Sequence, residues 1–400
     1  MLKQRLLMAA SLSAGPTPPG LGSLYAFGTN VAGATAQNTA SGTTLAPTAA
    51  VDSNANWLQI SSGWDASGGL GGTSVGLLSS GQIWSWGNNS AGGPGGAIAQ
   101  GNNSSPYYVP TRVGTDSNWV YIAQGGYGGF AIKTNGALYS WGYNSDGQLG
   151  HALSSVTYIP TQVGTDTDWS KAFSGYQNSF LIKTNGTLWA LGLNSNYNTG
   201  LGINTGNTVS PTQVGSDTNW LMVACAVTGG VGIRTNGTAW SWGTDANGEL
   251  CQGSVGGTYT TPTMIGADTD WVFVASGNPV VHGLTFLIKS NGTLWVAGSN
   301  NSYASGRGTN SGNTTSLTQV GTDTDWAEVY VNKHPSDITN AVVALKSNGE
   351  LWSWGNNNLA RTGQGTTSGT TNNPTQIGTD TDWAKLPQGS CGTITILIKS

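Results

Sequence analysis

The sequence predicts an all-β fold, a seven-bladed β-propeller of four-stranded antiparallel blades. Three observations predict it. One apolar phrase recurs seven times, a second phrase recurs in step with it, and the two ends of the chain are halves of the same phrase.

The first phrase reads SLYAFG (23–28), QIWSWG (82–87), ALYSWG (137–142), TLWALG (187–192), TAWSWG (238–243), TLWVAG (293–298) and ELWSWG (350–355), with final glycines 50 to 59 residues apart. The second ends at Trp119, Trp169, Trp220, Trp271, Trp326 and Trp383 in forms of GTDTDW, with a worn copy, VDSNANW, ending at Trp57. Of 17 tryptophans only Trp64 falls outside the two phrases.

Each repeat reads as four strands in a fixed order. The stretch after each GTDTDW tryptophan, such as YIAQ or KAFS, is the first. FLIK and its cognates are the second and the LW-x-WG phrase the third, joined by Asn-Gly, which predicts a two-residue type I′ hairpin turn. PTQV is the fourth. Four short strands over a fixed repeat, seven times over, form blades packed face to face around an axis.

The ends complete this count. ILIKS (396–400) is a second strand without its third, and SLYAFG (23–28) is a third strand without its second. Residues 356–400 together with 23–28 make one repeat length of 51 residues. The ring is therefore predicted to close by pairing of the N- and C-terminal strands, which leaves no open strand edge. The propeller spans 23–400. Residues 1–22, with two positive charges, a brief apolar run and a stiff PTPPG spacer, read as an N-terminal docking arm, with a cleaved secretory signal as the alternative.

Composition excludes several classes. Charged residues are 8% of the chain, against a usual ~25%, net charge is −4, and Lys and Arg are scattered singly. Nucleic-acid binding needs a basic face and is not expected. No run approaches the ~20 apolar residues of a membrane span. Cys225, Cys251 and Cys391 lack metal-ligand spacing; they read as small buried hydrophobes, with a Cys225–Cys251 disulfide as the alternative.

The loop WGYNSDGQLGH (141–151), with the repeated IK-x-NG-x-LW and GTDTDW phrases, resembles the regulator-of-chromosome-condensation (RCC) repeat family, in its bacterial and viral branch. The resemblance runs through 23–400 and implies the seven-bladed fold. GQLG stands intact at 147–150, becomes GELC at 248–251, and is eroded in the other copies.

Strand direction sorts the loops onto two faces. Face X carries the Asn-Gly turns and Asp loops, nearly identical in every blade, with Lys133, Lys183, Arg234, Lys289, Lys346 and Lys399 before the turns. It carries Asp116, Asp166, Asp217, Asp268, Asp323 and Asp380 three residues before each tryptophan. Calcium needs about six or more oxygens, and two Asp beside a cation fall short, so these are read as structural.

Face Y differs from blade to blade, and binding concentrates on varying loops of a rigid scaffold. Its aromatics, Trp64, Tyr107, Tyr108, Tyr127, Tyr143, Tyr176, Tyr197 and Tyr303, are the candidate partner-binding residues. His151, His282 and His334 also fall there, without ligand spacing or a nucleophile partner.

No catalytic set, metal site or cofactor is therefore expected, and the chain reads as a non-catalytic structural and recognition propeller. The placement expected is a virion component, a bacteriophage capsid or tail appendage, held to other virion proteins by the arm. Its face Y would meet a host surface glycan or protein. A secreted or cell-surface bacterial propeller that binds glycans or a protein partner is the alternative. The resemblance also implies a remote one, a guanine-nucleotide exchange factor.

Overall fold

The computed structural model describes residues 22–400 except 65–71, 90–97, 103–105, 153, 205, 227, 278–282, 311, 334–338 and 389–393. It contains seven four-stranded antiparallel sheets. Blade 1 spans 57–112, blade 2 119–162, blade 3 169–213, blade 4 220–264, blade 5 271–319 and blade 6 326–376. Blade 7 joins Trp383–Lys385 and Ile394–Lys399 to Ser23–Thr29 and Thr43–Ala49. Among the described residues, helix is confined to two 3-10 turns, Asn301–Tyr303 and Asn358–Ala360.

The terminal strands close the ring as the sequence predicts. Ser23 pairs with Lys399 and the register runs unbroken to Gly28 with Ile394. The seam is tied a second time, because the inner strands of blades 1 and 7 touch through Gln388. Its N–H donates to Ile60 O at 2.9 Å and its carbonyl accepts from Ser62 N at 3.1 Å.

Apolar side chains form seven slabs, each between two neighbouring blades. Between blades 2 and 3, for instance, Phe130, Ile132 and Leu138 pack on Trp169, Leu181 and Leu191. This follows from strand periodicity, since alternate side chains leave opposite faces of a blade and both faces are covered. The fourth strand alone is exposed along one side. Cys225 lies in the slab between blades 3 and 4 and Cys251 in that between blades 4 and 5. Both are buried free thiols, so the disulfide alternative fails because a blade separates them. Cys391 lies outside the described residues.

The innermost strand of each blade has an edge that no strand covers, and side chains from the preceding blade satisfy part of it. Gln59 donates to Ile122 O at 2.9 Å and accepts from Ile122 N at 3.1 Å. Tyr121 donates to Ala172 O, and Lys171 to Leu221 O at 2.6 Å. Burial lowers the Lys171 pKa to about 8.

The Asn-Gly turns differ from the expected type I′. Gly136 N donates to Lys133 O and Lys133 N to Ala137 O, so the loop has three residues. Gly136 takes φ +80, while Asn135 stays out of the left-handed region and its Oδ1 accepts Ala137 N. This is a type I turn followed by a left-handed glycine. The Asp loop of the next blade explains why glycine is needed: a Cβ on Gly136 would lie 2.0 Å from Thr167 O.

Candidate functional site

Face X is a ring of caged cations. Lys183 Nζ lies 2.7 Å from Asp166 and 3.0 Å from Asp168, and 4.8 and 4.7 Å from the ring centroids of Trp169 and Trp189. Lys133, Arg234, Lys289, Lys346 and Lys399 repeat the arrangement, Arg234 pairing with Asp217. Burial alone would lower the Lys183 pKa, but the two carboxylates outweigh it and raise it. Blade 1 has Leu78 in place of the cation, and there Asp52 accepts from the Trp57 indole N–H at 2.8 Å. The Asp oxygens thus hold the protein's own cations.

Face Y has a repeated frame that the sequence reading missed. Two residues after each phrase-ending glycine stands Asn30, Asn89, Asn144, Asn194, Asp245, Asn300 or Asn357. In six of these, all but Asn89, Oδ1 accepts the backbone N–H five residues on, at 2.9 to 3.4 Å. Asn89 instead donates to Asn102 O. The loop geometry therefore persists where GQLG is eroded, because one buried side chain bonding to backbone sets it. The signal, Gly-x-Asn in step with the repeat, was present in the sequence.

Each such loop grips the next blade. Gly202 N donates to Thr260 O and Gly253 N to Thr315 O. A Cβ on Gly200 would lie 2.8 Å from the Trp242 ring. His151 belongs to this frame too. Its Nε2 meets Ser140 Oγ at 2.8 Å, as Gln252 meets Ser241 and Gln364 meets Ser353. Burial lowers the His151 pKa. His282 and His334 lie outside the described residues.

Three of the eight candidate aromatics come together between blades 2 and 3. Tyr127 and Tyr176 stack with centroids 4.6 Å apart, and Tyr143 lies 5.3 Å from Tyr127. The Tyr127 hydroxyl donates to the Tyr176 hydroxyl at 2.6 Å. Burial, then the Tyr176 hydrogen bond, then nearby Asp146 raise the Tyr127 pKa. Beside the rings, Asp146 accepts from Gln177 at 3.2 Å and Asn207 at 3.4 Å. Half-buried rings thus adjoin a carboxylate and two amides, drawn from both blades.

The other candidates lie apart. Tyr107 and Tyr108 open the outer strand of blade 1, where Tyr108 O accepts from Asn38 N of the blade 7 loop. Tyr197 and Tyr303 occupy left-handed turns of the loops of blades 3 and 5. Trp64 ends the inner strand of blade 1, and its side chain lies outside the described residues.

Fold and faces together define a closed propeller with a uniform structural face and a loop-bearing face. Two family models described as Regulator of chromosome condensation (RCC1) repeat match residues 135–182 and 119–148. Residues 119–182 of this seven-bladed propeller thus match the RCC1 repeat. No curated protein matches it.

Solved structures similar to the chain include three at 16% identity each. Human WBSCR16 has a TM-score of 0.75, covering 95% of this chain and 99% of that one. Saccharomyces cerevisiae Prp20p, described with its binding to Gsp1p and histones, has 0.79, covering 100% and 95%. Yeast RCC1 (Prp20) bound to Kap60 has 0.78, covering 98% and 92%. At that identity these likenesses show the fold.

Proposed function

We propose that the protein is a recognition propeller that binds a surface glycan on face Y, centred on Tyr127, Tyr143 and Tyr176. The observation that carries this reading is the cluster itself, in which aromatic rings adjoin Asp146, Gln177 and Asn207 across two blades. Ring faces and edges take the apolar face of a sugar, and carboxylate and amide groups take its hydroxyls. Tyrosines offer that contact area at low entropic cost. A protein partner is the second reading, favoured because the similar yeast propeller is described in complex with Kap60.

Within this reading the molecule sits on a virus particle, a bacteriophage capsid or tail appendage, with residues 1–22 joining it to other virion proteins. Sparse charge and Gly-, Asn-, Thr- and Ser-rich loops support that placement. Removing the arm should leave the propeller folded and block its incorporation. Normal incorporation without it would remove this placement.

The binding test uses labelled protein on a glycan array and on bacterial cells. Tyr127→Ala, Tyr143→Ala and Tyr176→Ala together should weaken binding by ~2 kcal/mol or more if these residues are hot spots. The matched face-X set, Asp166→Ala, Asp217→Ala and Asp268→Ala, should lower Tm and leave binding in place. Binding lost in the face-X set and kept in the tyrosine set would overturn the reading.

A further inference from the structure

Blade 4 departs from the other six at the residue beneath its face-Y loop. Where the position is Asn30, Asn194, Asn300 or Asn357, the amide acts twice. Its oxygen accepts the N–H five residues on, and its Nδ2 donates to the carbonyl nine residues on, at 2.8 to 3.1 Å. Asp245 keeps the first role, accepting from Gly248 N at 2.7 Å and Leu250 N at 3.4 Å. It has no hydrogen for the second. Its Oδ2 is fully buried and has no donor among the described residues.

A second carboxyl, Glu249, braces the same turn: it is 4% exposed and accepts Asn247 N at 2.6 Å, while Asp245 accepts Gly248 N and Leu250 N. Two ionised carboxylates cannot bond to each other, and both are out of water. A single proton between them supplies the missing donor and removes the repulsion.

Among the described residues the surrounding groups leave that role to the pair. The Cys251 thiol shares the loop, and Tyr259 packs in the same slab. Gly283 of blade 5 lies against Glu249; His282 precedes it in the chain, outside the described residues. Arg307 is engaged with Thr314, and Asn313 with Asn247. Among the described residues no Lys, Arg or His forms an ion pair with either carboxyl.

We propose that Asp245 and Glu249 hold one proton between them, and that this proton locks the joint between blades 4 and 5, so that the joint loosens as the solution becomes alkaline. The loop it fixes is the one that grips blade 5, through Gly253 N to Thr315 O at 2.9 Å and the close fit of Gly248 on Thr314 and Thr315. Burial, followed by the Glu249 charge, pushes Asp245 up to about 7, against the pull of the Leu250 and Gly248 N–H groups.

The folded chain then holds the proton more tightly than the unfolded chain does. The stabilisation is complete below the ordinary value of 3.8, declines as pH rises above it, and is lost once pH passes about 7.

The test is Tm from about pH 5 to about pH 8.5 for the full chain and three variants. Asp245→Asn restores the amide found in the other blades, and Glu249→Gln gives Oδ2 a donor without a titration. Both should melt several degrees above the unaltered protein at the alkaline end and lose the decline with pH. An Asp245→Asn variant that keeps the decline overturns the proposal. His282→Ala should keep the decline; its loss there would assign the effect to the imidazole and equally overturn it. Hydrogen exchange over 245–256, corrected for intrinsic rate, should rise at alkaline pH in the unaltered protein and stay constant in Asp245→Asn. Equal protection at both pH values in the unaltered protein would also overturn it.

Discussion

Faces X and Y of one ring are held by opposite kinds of bond. On face X, side chain meets side chain: a cation, two rings and Asp carboxylates about half exposed. Cation, rings and carboxylates must all be kept together, and the phrases there are nearly invariant among the blades. On face Y, one buried Asn or Asp side chain meets backbone. Backbone is the same whatever side chains it carries, so the remaining loop residues are free to differ. Variation on face Y is therefore built on a constant frame.

The largest effect is expected at the ring on which both faces depend. Deleting Ile396–Ser400 removes most of the strand that pairs with Ser23–Thr29 and withdraws Ile396, Leu397 and Ile398 from two slabs. Each buried side chain is worth ~1.5–3 kcal/mol, so calorimetry should show a large drop in Tm, with aggregation through the open edge. A Tm within a degree or two of the full chain would contradict closure through this strand.

Asn194→Ala attacks the face-Y frame. It removes bonds to Thr199 N, Thr199 Oγ1 and Ile203 O, and ~2–3 kcal/mol should be lost in denaturant unfolding. The loss should be similar for Asn300→Ala despite the unlike loop sequence, because the frame is the same.

Lys183→Met tests face X and should cost less, ~1–2 kcal/mol, since its Asp partners are about half exposed and screened. The sign with pH is fixed by its raised pKa. The lysine's contribution is complete below the ordinary value of 10.5 and is lost as pH rises through the higher folded value. The variant should therefore lack that part of the alkaline decline in Tm.

The smallest effect is expected from Leu78→Lys, which installs a cation in the one blade without it. Asp52 already accepts from the Trp57 indole there, so the gain from a new cation–ring contact, ~0.5–1 kcal/mol, should be offset by lost burial of Leu78. A Tm within a degree or so of the unaltered protein is the outcome expected.

The repeat made the fold legible. The phrases from LYAFG to LWSWG mark every third strand, and the divided ILIKS–SLYAFG pair marked the closure. Less legible were the turns, where Thr-Asn-Gly forms a three-residue loop whose glycine packs against the neighbouring Asp loop. Of the face-Y candidates, face assignment alone placed eight aromatics together in one set. Only distances separate Tyr127, Tyr143 and Tyr176, which meet across two blades, from Tyr108, whose backbone grips the loop of blade 7.

By itself the sequence determined the strand order, the number of blades, the two faces and the joining of the ends, because each follows from period and hydrophobic pattern along the chain. Tertiary structure alone decided which side chains on different blades share a site. It also decided which thiols a blade holds apart and which carboxyl lacks a donor. Those depend on distances across the slabs between blades, and residues 50 apart in the chain become neighbours only when the ring has closed.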